Sequence, residues 1–120
     1  MLAAVRLRKL KSVRGGPFDN FCVTPEVLEA AIKTDRANGL IPFMFIMTLG
    51  TTSTCAFDPL EQLAPICQKE DMWVHVDAAY AEYRFIGNGL KFADSFNMNA
   101  HKTMQVTFDC SPMWLVLDDR

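Results

Sequence analysis

Two short runs in this chain carry side chains suited to covalent chemistry: Val74-His-Val-Asp77-Ala-Ala-Tyr80 and Ser95-Phe-Asn-Met-Asn-Ala-His-Lys102. Each sets one ionisable group just after an apolar, strand-like segment, a carboxylate in the first and a primary amine in the second. An amine of this kind forms a Schiff base with an aldehyde, and a carboxylate can keep a pyridine nitrogen protonated so that the ring acts as an electron sink. These are the two protein groups that pyridoxal phosphate (PLP) chemistry requires.

Taken singly, each residue has an ordinary reading beside the chemical one. A lone buried carboxylate is costly, so Asp77 needs a cation or strong donors, and a helix N-cap or a salt-bridged strand end would serve as well as a pyridinium. The small Ala78 and Ala79 would let a flat ring approach, or simply pack tightly. Lys102 is a surface lysine unless a partly desolvated, electropositive site lowers its pKa. His101 could bind a phosphate or a substrate carboxylate, act as acid or base, or cap a strand. Asn97 and Asn99 could donate to phosphate oxygens or satisfy loop backbone. The hydroxyl-rich Thr51-Thr-Ser-Thr54 could hold an anion or a phenolic oxygen, or form a plain turn. For His75, within a strand, a satisfied core histidine is the expectation.

The elements that must position these groups follow from apolar periodicity. Val5–Leu10 alternates as a strand would, Gly15-Gly-Pro17 breaks it, and Phe18–Val23 reads as a loop. Thr24-Pro-Glu26 opens a helix, with Val27, Leu28, Ala31 and Ile32 on one face and a stop near Asn38-Gly39. Pro42–Leu49 is continuously apolar, the pattern of a strand buried on both faces. After the Gly50–Phe57 loop, Asp58-Pro59 starts a second helix with Leu60, Leu63, Ile66 and Cys67 as its buried stripe. Met72–Val76 is another buried strand ending at Asp77, and short strands are expected near Asp94–Asn97, Gln105–Thr107 and Met113–Leu117. Strand and helix in alternation argue for an α/β fold with right-handed crossovers and a mostly parallel sheet. In such sheets ligands bind beyond the carboxyl ends of the strands. The Gly50–Thr54 loop, Asp77 and Lys102 are therefore expected to meet at one edge.

Composition narrows the classes. At 120 residues, half of them apolar, the chain is the size of one domain. A net charge of −2 advertises neither nucleic acid nor an anionic membrane. The basic Arg6-Leu-Arg-Lys-Leu-Lys11 reads as a strand with one solvated face. Four scattered cysteines without C-x-x-C spacing point to a reduced, cytoplasmic chain with no metal site. Met1–Val5 is too short for a signal core, and Leu40–Leu49 is about half of a membrane span. No Walker loop, dinucleotide-binding glycine fingerprint or serine-hydrolase elbow occurs.

In combination, Leu49-Gly-Thr-Thr-Ser-Thr-Cys-Ala-Phe-Asp58, His75-Val-Asp-Ala-Ala-Tyr-Ala81, Ala93-Asp-Ser-Phe-Asn-Met-Asn-Ala-His-Lys102 and Phe108-Asp-Cys-Ser111 strongly resemble the group II PLP-dependent amino-acid decarboxylases. Within that family the look is that of the aromatic-L-amino-acid and tyrosine decarboxylase branch. The resemblance covers essentially the whole chain, with the motifs in order. It implies part of the large PLP-binding domain of a fold type I (aspartate-aminotransferase-like) transferase, spanning residues 1–120, and a homodimer. It also implies PLP as cofactor and an aromatic L-amino acid that loses its α-carboxylate as CO2. Lys102 would be the Schiff-base lysine and Asp77 the partner of the pyridine nitrogen. Ala79 would lie against the ring face and Thr52 near the ring hydroxyl, while Asn99 and His101 would contact the phosphate or the substrate carboxylate.

The pattern departs from the family in three ways. Family members have a dimerising N-terminal segment, a phosphate loop and a ring-stacking histidine ahead of these motifs, and a mobile loop and small domain after them. The Gly/Ser/Ala-rich stretch expected after Ala81 is replaced by an immediate Glu82-Tyr-Arg84. Thr103 stands where an aromatic residue usually follows the lysine. These departures predict a chain inactive by itself. Two other outcomes share the resemblance. One is a non-catalytic truncated member that pairs with a full-length subunit. The other is a related PLP aldehyde synthase, or a histidine or glutamate decarboxylase.

Overall fold

The computed structural model describes residues 5–16, 19–80 and 87–116. A small antiparallel hairpin, β1 (Val13–Gly15) with β2 (Asn20–Cys22), precedes helix α1 (Pro25–Ala37). Strand β3 (Met44–Thr48), helix α2 (Leu60–Lys69) and strand β4 (Trp73–Ala78) follow. A 3-10 segment (Gly87–Phe92), strand β5 (Ser95–Met98), the single helical turn α3 (Ala100–Thr103) and strand β6 (Met113–Leu115) complete the order. The main sheet runs β3-β4-β5-β6; its first two pairings are parallel and the last is antiparallel.

Local chemistry accounts for the boundaries. Pro25 supplies a preset φ at the start of α1, and after the C-cap Asn38 the chain turns through Gly39 at φ +72°, a conformation glycine adopts without steric cost. Asp58, just ahead of α2, ties two elements together by accepting the backbone N–H groups of Val23 (2.8 Å) and Thr48 (2.9 Å). Burial pushes the Asp58 carboxyl above its ordinary value, against the pull of those two donors.

The core lies on one side of the sheet. Leu28 and Ile32 of α1 and Leu60, Leu63, Ala64 and Cys67 of α2 pack on Phe45, Met47, Val74, Val76 and Ala78. Burying each such aliphatic side chain contributes about 1.5–3 kcal/mol. Alternate residues of the same strands point the other way, and Met44 (40% exposed), Ile46 (50%) and Trp73 (40%) remain open. The continuous apolar run Pro42–Leu49 is thus buried on one face rather than both. Apolar run length reports hydrophobicity at every position but not which layers are present to cover it.

Four further expectations are corrected. Val5–Leu10 forms no strand: Leu7 is exposed, and Arg8 reaches α1, donating to the Ala31 carbonyl (3.3 Å) and pairing with Asp35. Alternation without a partner strand cannot satisfy the backbone, and side-chain contacts to a helix fix the segment instead. Asn20–Cys22, read as loop, pairs with Val13–Gly15, and the Asn20 side chain donates to the Thr54 carbonyl (2.7 Å). Gln105–Thr107 is exposed and irregular. Strand β4, expected from Met72 and ending at Asp77, starts at Trp73 and runs on to Ala78. Of the residues singled out above, Met1–Ala4, Pro17, Phe18, Ala81–Ile86 and Leu117 lie outside the described residues.

Candidate active site

The parallel register sets Thr48 beside Asp77 and Asp77 beside Asn97, so the carboxyl ends of β3, β4 and β5 form one rim. Odd-numbered residues of β4 face away from the helices, which carries Trp73, His75 and Asp77 to the open face of the sheet. A cleft of about 270 Å³ opens there, lined by Thr48, Gly50, Thr51, Thr52, Asp77, Ala79 and Tyr80. Gly50 sits at φ +80° and lets the chain leave β3 sharply into the hydroxyl loop.

That loop is largely satisfied by its own bonds. The Thr51 hydroxyl pairs with that of Thr54 (2.8 Å) and accepts the Ala56 N–H (2.9 Å), while the Gly50 and Thr51 N–H groups donate to the Ala56 carbonyl. Thr51 therefore holds the turn, and the exposed Thr52 faces the cleft. Asp77 is half-buried; its Oδ1 accepts the Ala79 N–H (3.1 Å) and the Asn97 side-chain amide (3.3 Å). Two N–H donors fix the position of that oxygen at the sheet edge.

Lys102 reaches the same rim from α3. Its ammonium lies 4.5 Å from the centre of the Tyr80 ring, a cation–π contact worth about 0.5–1 kcal/mol at an exposed site. The structure thus brings Thr52, Asp77 and Ala79 together in one cleft and sets the Lys102 amine against the tyrosine that lines it.

Asn99 and His101 are not among the lining residues. Asn99 is the N-cap of α3, and its carbonyl accepts the Lys102 N–H (3.0 Å). The buried His101 ring turns towards residues 108–110. Its Nδ1 lies 3.0 Å from the Cys110 carbonyl, 3.1 Å from the Cys110 N–H and 3.3 Å from Asp109, and its ring meets Phe108 edge-on at 4.8 Å. One nitrogen cannot accept the N–H and donate to an oxygen at once, so the tautomer selects which bond forms. Either form clamps α3, and hence Lys102, to the following loop. Beside the lysine, the Thr103 hydroxyl oxygen is buried with no hydrogen-bond partner among the described residues.

Sequence reasoning gave no role to Tyr80, Ser95 or Trp73, and read Asn97 as a phosphate or loop donor rather than a partner of Asp77. His75 is satisfied, as expected of a strand histidine, but on the open face and through both ring nitrogens. The signal was present: Trp73, His75 and Asp77 recur at period 2, as do Ser95 and Asn97. Among the described residues no cluster of three or more histidine, cysteine or acidic side chains could hold a metal, and no helix is long and apolar enough to cross a membrane.

Comparison with known proteins supplies an independent line. The pyridoxal-dependent decarboxylase conserved domain matches residues 1–119. The aromatic-L-amino-acid decarboxylase of Mus musculus is 50% identical over 115 residues, 89% of this chain and 23% of that protein. That of Drosophila melanogaster is 48% identical over 122 residues, 96% of the chain and 23% of the relative. Among solved structures, Rhodiola rosea 4-hydroxyphenylacetaldehyde synthase superposes with a TM-score of 0.80 at 34% identity, covering 95% of this chain and 26% of that one. Catharanthus roseus tryptophan decarboxylase, in complex with L-tryptophan, gives 0.72 at 37% identity over 78% of this chain and 21% of that one. The chain spans about a quarter of the length of these relatives.

Proposed function

From the premise that this chain belongs to the pyridoxal-dependent decarboxylase family, a family of PLP-dependent lyases of fold type I, we propose that it forms the strand-end part of an active site that decarboxylates an aromatic L-amino acid. The observation that carries the reading is the convergence of Asp77, Ala79, Thr52 and Tyr80 on one cleft, with the Lys102 amine against Tyr80.

The residues present fit the cofactor. Asp77 is an acceptor whose Oδ1 is held by two N–H donors, suited to receive a ring N–H. Ala79 offers no side chain beyond Cβ to obstruct a flat ring, and Thr52 brings a hydroxyl to the same cleft. Lys102 supplies the primary amine. When bound, PLP acts as an electron sink for the bond broken at the substrate α-carbon. The chain's own work is to hold the Asp77 charge at the sheet edge, to present the lysine amine, and to keep α3 in place through His101. The contact of Lys102 with Tyr80 gives the amine a resting position from which it can move. With the cofactor bound, the same amine would be the group to hold and return a proton.

Lys102 is exposed and does not line the cleft, so these residues alone do not enclose its amine. The chain by itself is accordingly expected to bind PLP weakly and to turn over no substrate. A homodimer is part of the same reading and is carried by family membership. A reducing, cytoplasmic location is proposed from the four free cysteines.

Incubation with PLP, borohydride reduction and peptide mapping test the site. The expected result is a pyridoxyl adduct on Lys102 that is lost in Lys102→Arg. Equal labelling of Lys69 or Lys91 would overturn the assignment and favour a non-catalytic member of the family. The likeness to the Rhodiola synthase supports a second outcome, aldehyde in place of amine. Product analysis with L-tyrosine and L-tryptophan separates the two.

A further inference from the structure

The open face that carries Asp77 also carries a continuous line of polar side chains. The Trp73 indole donates to the Ser95 hydroxyl (2.8 Å), and Ser95 Oγ lies 2.7 Å from His75 Nδ1. His75 Nε2 lies 2.9 Å from Asn97 Oδ1, and Asn97 Nδ2 donates to Asp77 Oδ1 (3.3 Å). The cause is register: His75 stands opposite Ser95 and Asp77 opposite Asn97, so same-face neighbours meet across two parallel strands.

Proton direction along this line is fixed from both ends. A carboxylate only accepts, so Asn97 must turn its NH2 to Asp77 and its carbonyl oxygen to His75. His75 Nε2 must then carry a hydrogen. In the neutral ring Nδ1 is left as an acceptor, and among the described residues the Ser95 O–H is the donor that serves it. The serine oxygen is in turn free to accept from Trp73, whose indole can only donate. With a neutral imidazole, this arrangement alone matches a donor to an acceptor in all four contacts of the line.

The geometry points to a directional hydrogen-bond chain, Trp73 to Ser95 to His75 to Asn97 to Asp77, that fixes His75 as its Nε2–H form and orients the Asp77 carboxylate through Oδ1. His75 and Asn97 are then positioning residues. Both described donors to the Asp77 side chain meet Oδ1, which leaves Oδ2 to take a donor from the cofactor. This last step rests on the reading of Asp77 as the partner of the ring nitrogen; the chain of bonds itself does not.

Long-range proton–nitrogen NMR on the 15N-labelled chain, without cofactor and at a pH where the imidazole is neutral, reads the tautomer directly. His75 should appear as a single Nε2–H form with a hydrogen-bonded Nδ1, and a dominant Nδ1–H form would overturn the proposal. Asn97→Leu removes the acceptor, so the two tautomers should mix and PLP affinity should fall roughly ten-fold. An unchanged tautomer ratio together with unchanged affinity would overturn it. Should that variant fail to fold, Ser95→Ala gives a second reading: the Nδ1 resonance should move towards that of an unbonded ring nitrogen, and its constancy would count against the chain. A merely structural role for these residues would move neither resonance in this sense. Failure of the unaltered chain to bind PLP would overturn the functional reading of Asp77, while the spectrum decides the hydrogen-bond chain on its own.

Discussion

The two faces of the main sheet are built from the same strands and treated in opposite ways. On the helix face, Phe45, Met47, Val74, Val76 and Ala78 are sealed under α1 and α2. On the other, Met44, Ile46, Trp73, Met113 and Leu115 remain exposed beside the polar line from Ser95 to Asp77. Parallel sheets are normally covered on both sides. The comparison teaches that the core of this chain is built on one face and the candidate site on the other, with a single-residue alternation deciding which residue goes where.

Truncation on each face is the strongest way to break that contrast. Leu63 of α2 is fully buried, and Leu63→Ala should cost about 2–5 kcal/mol in denaturant unfolding. Ile46→Ala on the open face should change stability by no more than about 0.5 kcal/mol. Equal losses would mean that the open face is covered in solution. Next in size is Asp58→Ala, which orphans the Val23 and Thr48 N–H groups and should cost about 1–3 kcal/mol.

The same carboxylate predicts a pH dependence. Because burial raises the Asp58 pKa in the folded state, the native form holds its proton to higher pH than the unfolded chain does. The associated stability is fully present below the ordinary carboxylate range and is lost as pH rises through the raised native value. Stability measured across that window should fall with pH, and Asp58→Asn should flatten the slope.

The smallest effect concerns thiols. Burial, with the nearby Asp94 charge, pushes the Cys67 thiol up to about 12. Cys55, exposed in the hydroxyl loop, should be alkylated first, and Cys67 only on unfolding. Early labelling of Cys67 would show that the helix face opens readily.

Much of the architecture was legible because strong local signals coincide. Thr24-Pro25 and Asn38-Gly39 bracket α1, and Asp58-Pro59 precedes α2, within a residue or two of their observed ends. The failures share one cause: Val5–Leu10 alternates without a partner, and Asn20–Cys22 lacks strand-like composition yet finds one in Val13–Gly15. Strand pairing is a non-local property that periodicity cannot report. In the site, Asp77, Lys102, Ala79 and Thr52 were marked by residue type and motif. The turning of His101 towards Cys110 and of Asn97 towards Asp77 was not, since each depends on a neighbour brought close by the fold.

By itself the sequence determined the fold class and the family and marked the candidate groups, since each rests on residue type and on spacing along the chain. Only the tertiary structure decided which face of the sheet is sealed, which of the candidate residues share the cleft, and how Asp77 is held. Those outcomes are set by register between strands distant in sequence, where the placement of one hydrogen-bond donor depends on the whole path of the chain between them.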